Sequence, residues 1–258
     1  MDGSKLVTSA ANPAVKKLRS LAVKKYREEE NLFLVEGTEY VAGALKAGWR
    51  AEMIAFSREV AGSEIIRQAA GAELLETTYD ILSKIVQRDN APTLVAAFRP
   101  QWSNLNAIAQ GLWVGLENIR DPGNLGTIIR TADAVGAAGV ILVGETCDSW
   151  APETIRASAG SFARIKIARA AEKEFLEWKK NWPGRAVGTH LRGTTDYRAA
   201  QYGLPLLLMM GGEQAGLSNN IADACDELVK IPMAGGTESL NLAVSTGIML
   251  YEIRRPTL

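Results

Sequence analysis

Apolar residues fall into two rhythms along this chain. Runs that are apolar at nearly every position occur at residues 112–116, 138–143, 162–168, 186–191, 205–210 and 227–233, and between them apolar positions recur three and four apart. A strand apolar at consecutive positions needs cover on both faces, so the pattern predicts a mostly parallel sheet with helices on each side. The first hundred residues alternate on a smaller scale. Val15, Leu18, Leu21 and Ala22 set a helical spacing over 14–26, a strand is predicted at 32–35, and a helix runs through 40–47. Strands follow at 53–56 and 94–98, with helices near 63–70 and 78–86 between them. Proline and polar residues interrupt the pattern between Arg99 and Asn104. This places a boundary between a small α/β domain at 1–103 and a larger α/β domain at 104–258.

With 258 residues the chain is long enough for two cores. Equal numbers of bases and acids give a formal net charge of zero, which offers no global argument for a nucleic-acid partner. The distribution is uneven, however. Between Met1 and Arg27 stand Lys5, Lys16, Lys17, Arg19, Lys24, Lys25 and Arg27 against the single acid Asp2. Lys16, Lys17, Lys24 and Lys25 could neutralise phosphates, or could form a solvated helix face.

No apolar run approaches the roughly 20 residues a bilayer span requires, and no signal-peptide pattern opens the chain, so a cytoplasmic protein is expected. Cys147 and Cys225 lack metal or redox spacing and read as reduced, packed thiols. His190 is the sole histidine. A zinc site or a histidine-dependent triad would have to be built on it, and no metal is expected. A lone histidine after a strand is read as structural.

Three strings concentrate turn formers and polar side chains at strand ends, where parallel sheets bind ligands. The first follows the strand at 112–116: Asn118, Asp121, Pro122, Asn124, Gly126 and Arg130. Asp121 and Pro122 signal a helix start, and the helix over 124–135 would bury Leu125, Ile128, Ile129 and Ala132 while Arg130 projects away. Arg130 could fork onto a phosphate or carboxylate, or make an ordinary salt bridge. The second string is Gly211-Gly212-Glu213-Gln214-Ala215-Gly216, a tight loop with one charge at the sheet mouth. It matches neither a dinucleotide nor a P-loop glycine fingerprint. The third runs from Ile231-Pro232-Met233 through a glycine loop to Ser239-Leu240-Asn241, where Ser239 and Asn241 could cap a helix over 242–253 or face a ligand. That helix carries Val244, Ile248, Met249, Leu250 and Tyr251 around its circumference, which implies a second covering surface, most simply a homodimer.

In order and spacing, these strings resemble motifs 1, 2 and 3 of the SpoU (TrmH-like) RNA ribose 2′-O-methyltransferases of the SPOUT superfamily, over residues 112–255. Arg156-Ala157-Ser158-Ala159-Gly160 is similar to the passage between motifs 1 and 2, and Phe33-Leu34-Val35-Glu36-Gly37 resembles the L30e-like substrate-binding domain of many members. The resemblance implies a SPOUT fold with a C-terminal deep trefoil knot and S-adenosylmethionine as cofactor. It also implies RNA as substrate, rRNA ahead of tRNA, and a homodimer through the knotted domain. Carried over, Gly211, Gly212, Gly216, Ile231, Met233, Ser239 and Leu240 line the cofactor pocket. Arg130 and Asn118 face the ribose across the dimer, Asn124 joins Arg130 toward the RNA, and Glu213, Ser239 and Asn241 complete the reaction centre. Arg130 is then either a phosphate-assisted base or a positioning group, because a guanidinium is rarely neutral in proteins. Motif 2 carries Gly212 and Gln214 around Glu213, and motif 3 continues as Leu242-Ala243-Val244, departures that bear on pocket detail. A non-catalytic RNA binder on the same fold and a nucleotide-dependent α/β enzyme are the competing classes. The target nucleotide is not implied.

Overall fold

The computed structural model describes residues 4–258. Up to Phe98 the elements are β1 (Lys5–Val7), α1 (Pro13–Ser20), α2 (Lys24–Glu30), β2 (Phe33–Glu36), α3 (Thr38–Lys46), β3 (Ala51–Ser57), α4 (Glu64–Gln68), β4 (Glu73–Thr77), α5 (Tyr79–Val86) and β5 (Leu94–Phe98). Beyond it come β6 (Leu112–Glu117), α6 (Pro122–Ala134), β7 (Gly139–Val143), α7 (Pro152–Ala157), β8 (Lys166–Ala170), α8 (Glu172–Asn181), β9 (Arg185–Thr189), β10 (Thr195–Asp196), β11 (Leu206–Met210), α9 (Asn219–Asp223), β12 (Glu227–Lys230) and α10 (Leu242–Arg254).

These elements form two compact units. The first ends at Pro100 and takes up Trp150–Arg164; the second holds Gln101–Ser149 and Ile165–Leu258. Sequence reading drew the boundary at 103/104 and assigned 150–164 to the larger domain. Trp150 and Phe162 explain the difference, because their rings close an aromatic cluster with Phe33, Trp49 and Phe98 inside the first unit, centroids 4.6 to 6.3 Å apart. Such pairs add to the area they bury.

In the first unit five strands run in the order β1-β4-β3-β5-β2, parallel from β1 to β3 and antiparallel at β5. The predicted continuous helix over 14–26 is broken. Residue 21 ends α1, and Val23 takes an extended conformation before α2. The break lets Leu21 bury with Leu18, Ile81 and Ile85, while Arg27, only 6% exposed, donates from Nη1 to the Leu21 carbonyl at 2.7 Å. Arg27 is therefore a structural residue, not part of a basic surface.

The second unit is a seven-stranded sheet in the order β10-β12-β9-β11-β6-β7-β8, with every registered pair parallel. Buried residues fill β6, β7 and β11 without interruption, as strands covered on both faces require. From β6 the chain winds outward through β7 and β8, then returns so that β11 inserts between β6 and β9. The order reverses there, and open parallel sheets bind ligands beyond the strand ends at such a point. Two predicted strands are trimmed. Phe162 lies in a 3-10 turn, so β8 starts at Lys166, and β12 stops at Lys230 because Pro232 has no N–H for a ladder. The strands β1 and β4 were not anticipated.

Candidate active site

Asp121 ends the β6 loop as the N-cap of α6. Its Oδ1 accepts from the Asn124 amide at 2.6 Å, with Pro122 in the first turn. Leu125, Ile128, Ile129 and Ala132 are buried beneath the helix, and Arg130 points outward. Arg130 makes no hydrogen bond or ion pair with the other described residues.

After β11 the chain closes a tight loop in which Gly212 and Gly216 bridge. A Cβ on Gly211 would lie 1.9 Å from the Gly216 carbonyl carbon, so only glycine lets the loop fold back on itself. Glu213 then meets three donors. Its carboxylate accepts from the backbone amides of Arg120 and Asp121 at 3.2 and 3.3 Å, and from Asn124 Nδ2 at 3.0 Å. Burial by itself would raise this carboxyl, but the amide donors outweigh it and hold Glu213 below the usual range.

The third string follows β12 at the same carboxyl edge of the parallel sheet. Asn241, not Ser239, caps α10, its Oδ1 accepting from Ala243 and Val244 amides at 2.9 and 3.2 Å. Its Nδ2 donates to Asn124 Oδ1 at 3.0 Å. A continuous chain Asn241–Asn124–Glu213 thus joins the three strings through side-chain amides.

Beside this chain opens a cavity of about 600 Å³, well within the range of small-molecule sites. All seven residues expected at the cofactor, Gly211, Gly212, Gly216, Ile231, Met233, Ser239 and Leu240, lie on its wall, as do Glu213 and Asn241. Arg130, Asn118 and Asn124 do not. Asn124 acts from behind, through Glu213 and Asn241. Asn118, with a left-handed φ of 51°, accepts the Glu145 amide on Oδ1 at 2.9 Å and so braces the loop after β7. Thr189, His190 and Leu191 also line the cavity. Sequence reading took His190 as structural, because only the strand order places the end of β9 beside that of β11.

The four lysines expected at RNA lie on α1 and α2. Lys17 pairs with Glu30 at 2.6 Å, and Lys24 and Lys25 with Glu28 and Glu29 at 3.7 Å, while Lys16 has no ion pair among the described residues. Asp2 lies outside the described residues. The acids that follow Arg27 therefore offset much of the basic run.

These residues fit the implied cofactor. The walls offered by Met210, Val229, Ile231, Met233 and Leu240 suit a flat apolar body, and ionised Glu213 suits a positive centre. Comparison with known proteins agrees. Residues 111–251 match the SpoU rRNA Methylase family, and residues 12–96 match an MRM3-like substrate binding domain. A Bacillus subtilis 23S rRNA (guanosine(2553)-2'-O)-methyltransferase, RlmP, is 30% identical, the match covering 97% of this chain and 99% of that one. A Streptomyces viridochromogenes 23S rRNA (uridine(2479)-2'-O)-methyltransferase is 33% identical, over 86% and 82%. The crystal structure of an AdoMet-bound rRNA methyltransferase from Sinorhizobium meliloti superposes with a TM-score of 0.94 at 44% identity, covering 99% of each chain. With that match spanning more than half its length, on a parallel sheet whose three strings converge at one cavity, the chain belongs to the SpoU rRNA methylase family.

Proposed function

We propose that this protein transfers a methyl group from S-adenosylmethionine to a ribose 2′-hydroxyl of ribosomal RNA, working in the cytoplasm as a homodimer with a knotted C-terminal lobe. The observation that carries the reading is the Asn241–Asn124–Glu213 chain, which ties the three strings together at the edge of a cavity fit for the cofactor. Support for the substrate class comes from the relatives, two of which are named for ribose methylation of 23S rRNA. Their targets differ in base and position, so the nucleotide modified here is set by side chains outside the shared strings.

When bound, S-adenosylmethionine supplies an activated methyl group on a sulfonium centre. The chain's own task is to hold the ribose oxygen close and in line. Glu213 is a poor proton acceptor, because three donors already stabilise its ionised form. We assign it to loop shape and to a negative potential beside the cofactor. Arg130, whose side chain has no partner among the described residues, is the group that would steady the RNA phosphate and sugar at the site of the facing protomer, with Ser239 and Asn241 lining the reaction centre. Asn118 is assigned to bracing the loop of Glu145. Lys16, Lys17, Lys24 and Lys25 would meet phosphates, three of them by exchanging their glutamate partners.

The test is methyl transfer from labelled S-adenosylmethionine to rRNA from cells lacking the gene, with the product mapped by mass spectrometry. One new ribose methyl is expected. RNA binding without transfer would instead favour the binding-only reading. The absence of any lost ribose methyl in those cells would overturn the proposal.

A further inference from the structure

His190 is held in one tautomer at the wall of the cavity, and nothing so far assigns it a part. Its backbone amide donates to the Val229 carbonyl at 3.0 Å, and its carbonyl accepts from Gly193 at 2.9 Å. Its ring Nδ1 accepts from the Arg192 amide at 2.9 Å. A neutral imidazole that accepts on Nδ1 carries its hydrogen on Nε2. Nε2–H is therefore the one polar group of His190 without a partner among the described residues, on a side chain that lines the cavity.

The strand order says which end of a ligand this donor meets. Glu213 follows β11, and Asn124 follows β6. His190 follows β9, on the far side of β11 from β6. Neighbouring strands lie about 4.8 Å apart, so His190 stands roughly 10 Å from the β6 end of the row. With the methyl held beside Glu213 and Asn241, the remainder of the cofactor would reach toward β9 and β12, where Leu191, Val229 and Ile231 offer apolar walls. Leu191 is 87% exposed at that rim. Apolar walls edged by a few donors, the His190 ring together with Thr189 and Lys230, suit the base and sugar of a nucleoside.

We propose that His190 is a binding residue for the nucleoside end of the methyl donor, donating from Nε2–H to an acceptor on that half of the ligand, with the Arg192 amide fixing the tautomer. This rests on the functional reading above. Two substitutions separate the ligand contact from the turn. In His190→Asn the side-chain oxygen replaces Nδ1 as acceptor for the Arg192 amide, an ordinary Asx turn, but no donor reaches the position of Nε2. In His190→Gln the amide nitrogen reaches that position, and the turn contact is given up.

Calorimetric titration should use S-adenosylhomocysteine, which keeps the amino-carboxylate, and 5′-methylthioadenosine, which lacks it, with thermal melting as the control for folding. For His190→Asn we expect an affinity about five- to tenfold weaker than the parent, by the same factor for both ligands, as loss of one hydrogen bond predicts. His190→Gln should stay within about threefold of the parent. The reverse ranking would reduce His190 to a turn residue, and parental affinity in both variants or equal losses in both would likewise overturn the proposal. A loss confined to S-adenosylhomocysteine would place His190 at the other end of the ligand and sink the nucleoside assignment. Failure of the parent protein to bind S-adenosylhomocysteine would instead strike the methyltransferase reading itself.

Discussion

Glu213 is held ionised by Asn124 and the Arg120 and Asp121 amides, and this has a measurable sign. A carboxyl whose folded pKa lies below its ordinary 4.5 contributes stability that is complete above that value and is lost as pH falls through the lower folded value. The part of the cofactor affinity that Glu213 supplies should therefore be complete above about pH 5 and decline only in acid below about pH 4.5. Glu213→Gln should remove that acid step, and titration calorimetry across pH would read both. Arg130 belongs to the opposite class, exposed and with no side-chain partner among the described residues. Arg130→Ala should cost methyl transfer on the order of 100-fold, the scale of a misplaced reactant, with S-adenosylhomocysteine affinity unchanged. Parental transfer by that variant would remove Arg130 from the site. The thiols give a further check. Burial pushes Cys225 up to about 12, and burial followed by the carboxylates of Glu213, Asp121 and Asp148 does the same for Cys147. Neither should alkylate appreciably at pH 8 until the protein unfolds.

At the scale of elements, Gly211 decides whether the β11 loop can close. Gly211→Ala leaves no room beside Gly216 and should weaken cofactor binding more than tenfold while the sheet, anchored by β11 between β6 and β9, still melts cooperatively. The broken N-terminal helix makes a comparable case for stability. Arg27→Ala removes a charged donor from a buried carbonyl and should cost about 1.5 to 3 kcal/mol in denaturant unfolding. The two cases differ in how far sequence foretold them. The loop was legible only beside the other two strings, since a glycine-rich turn after an apolar run is by itself an ordinary strand-to-helix turn. The break at Leu21–Val23 was not, since Val15, Leu18, Leu21 and Ala22 keep helical spacing through it, and only the buried partners Ile81 and Ile85 show why Leu21 turns in. His190 was missed for a related reason: strand adjacency is a long-range property that no local spacing encodes. The hold of Asn118 on the Glu145 amide was not legible either, because that amide is supplied by the neighbouring strand's loop.

For the whole molecule, α10 presents Val244 and Tyr251, 53% and 54% exposed, on one side with half-buried Ile248 between them. Spacings of four and seven make these one stripe. Introducing Val244→Glu together with Tyr251→Glu should convert a dimer to monomers in sedimentation and abolish transfer, because Arg130 would then serve no neighbour's site, while cofactor binding persists. A parent that sediments as a monomer would remove the dimer from the proposal. Charge acts at the same scale. Replacing Lys16, Lys17, Lys24 and Lys25 by neutral residues should lower the salt slope of RNA binding, but by less than the roughly 3 units expected of four unencumbered lysines, since Glu28, Glu29 and Glu30 already offset three of them. An unchanged slope would leave them as a solvated face. The amide relay from Asn241 through Asn124 to Glu213 sets a rule for how this enzyme matures. The first two strings can clasp as soon as Glu213 is made, but only translation past Asn241 completes the cavity wall, so a nascent chain stalled short of it would carry the whole sheet yet consume no methyl donor.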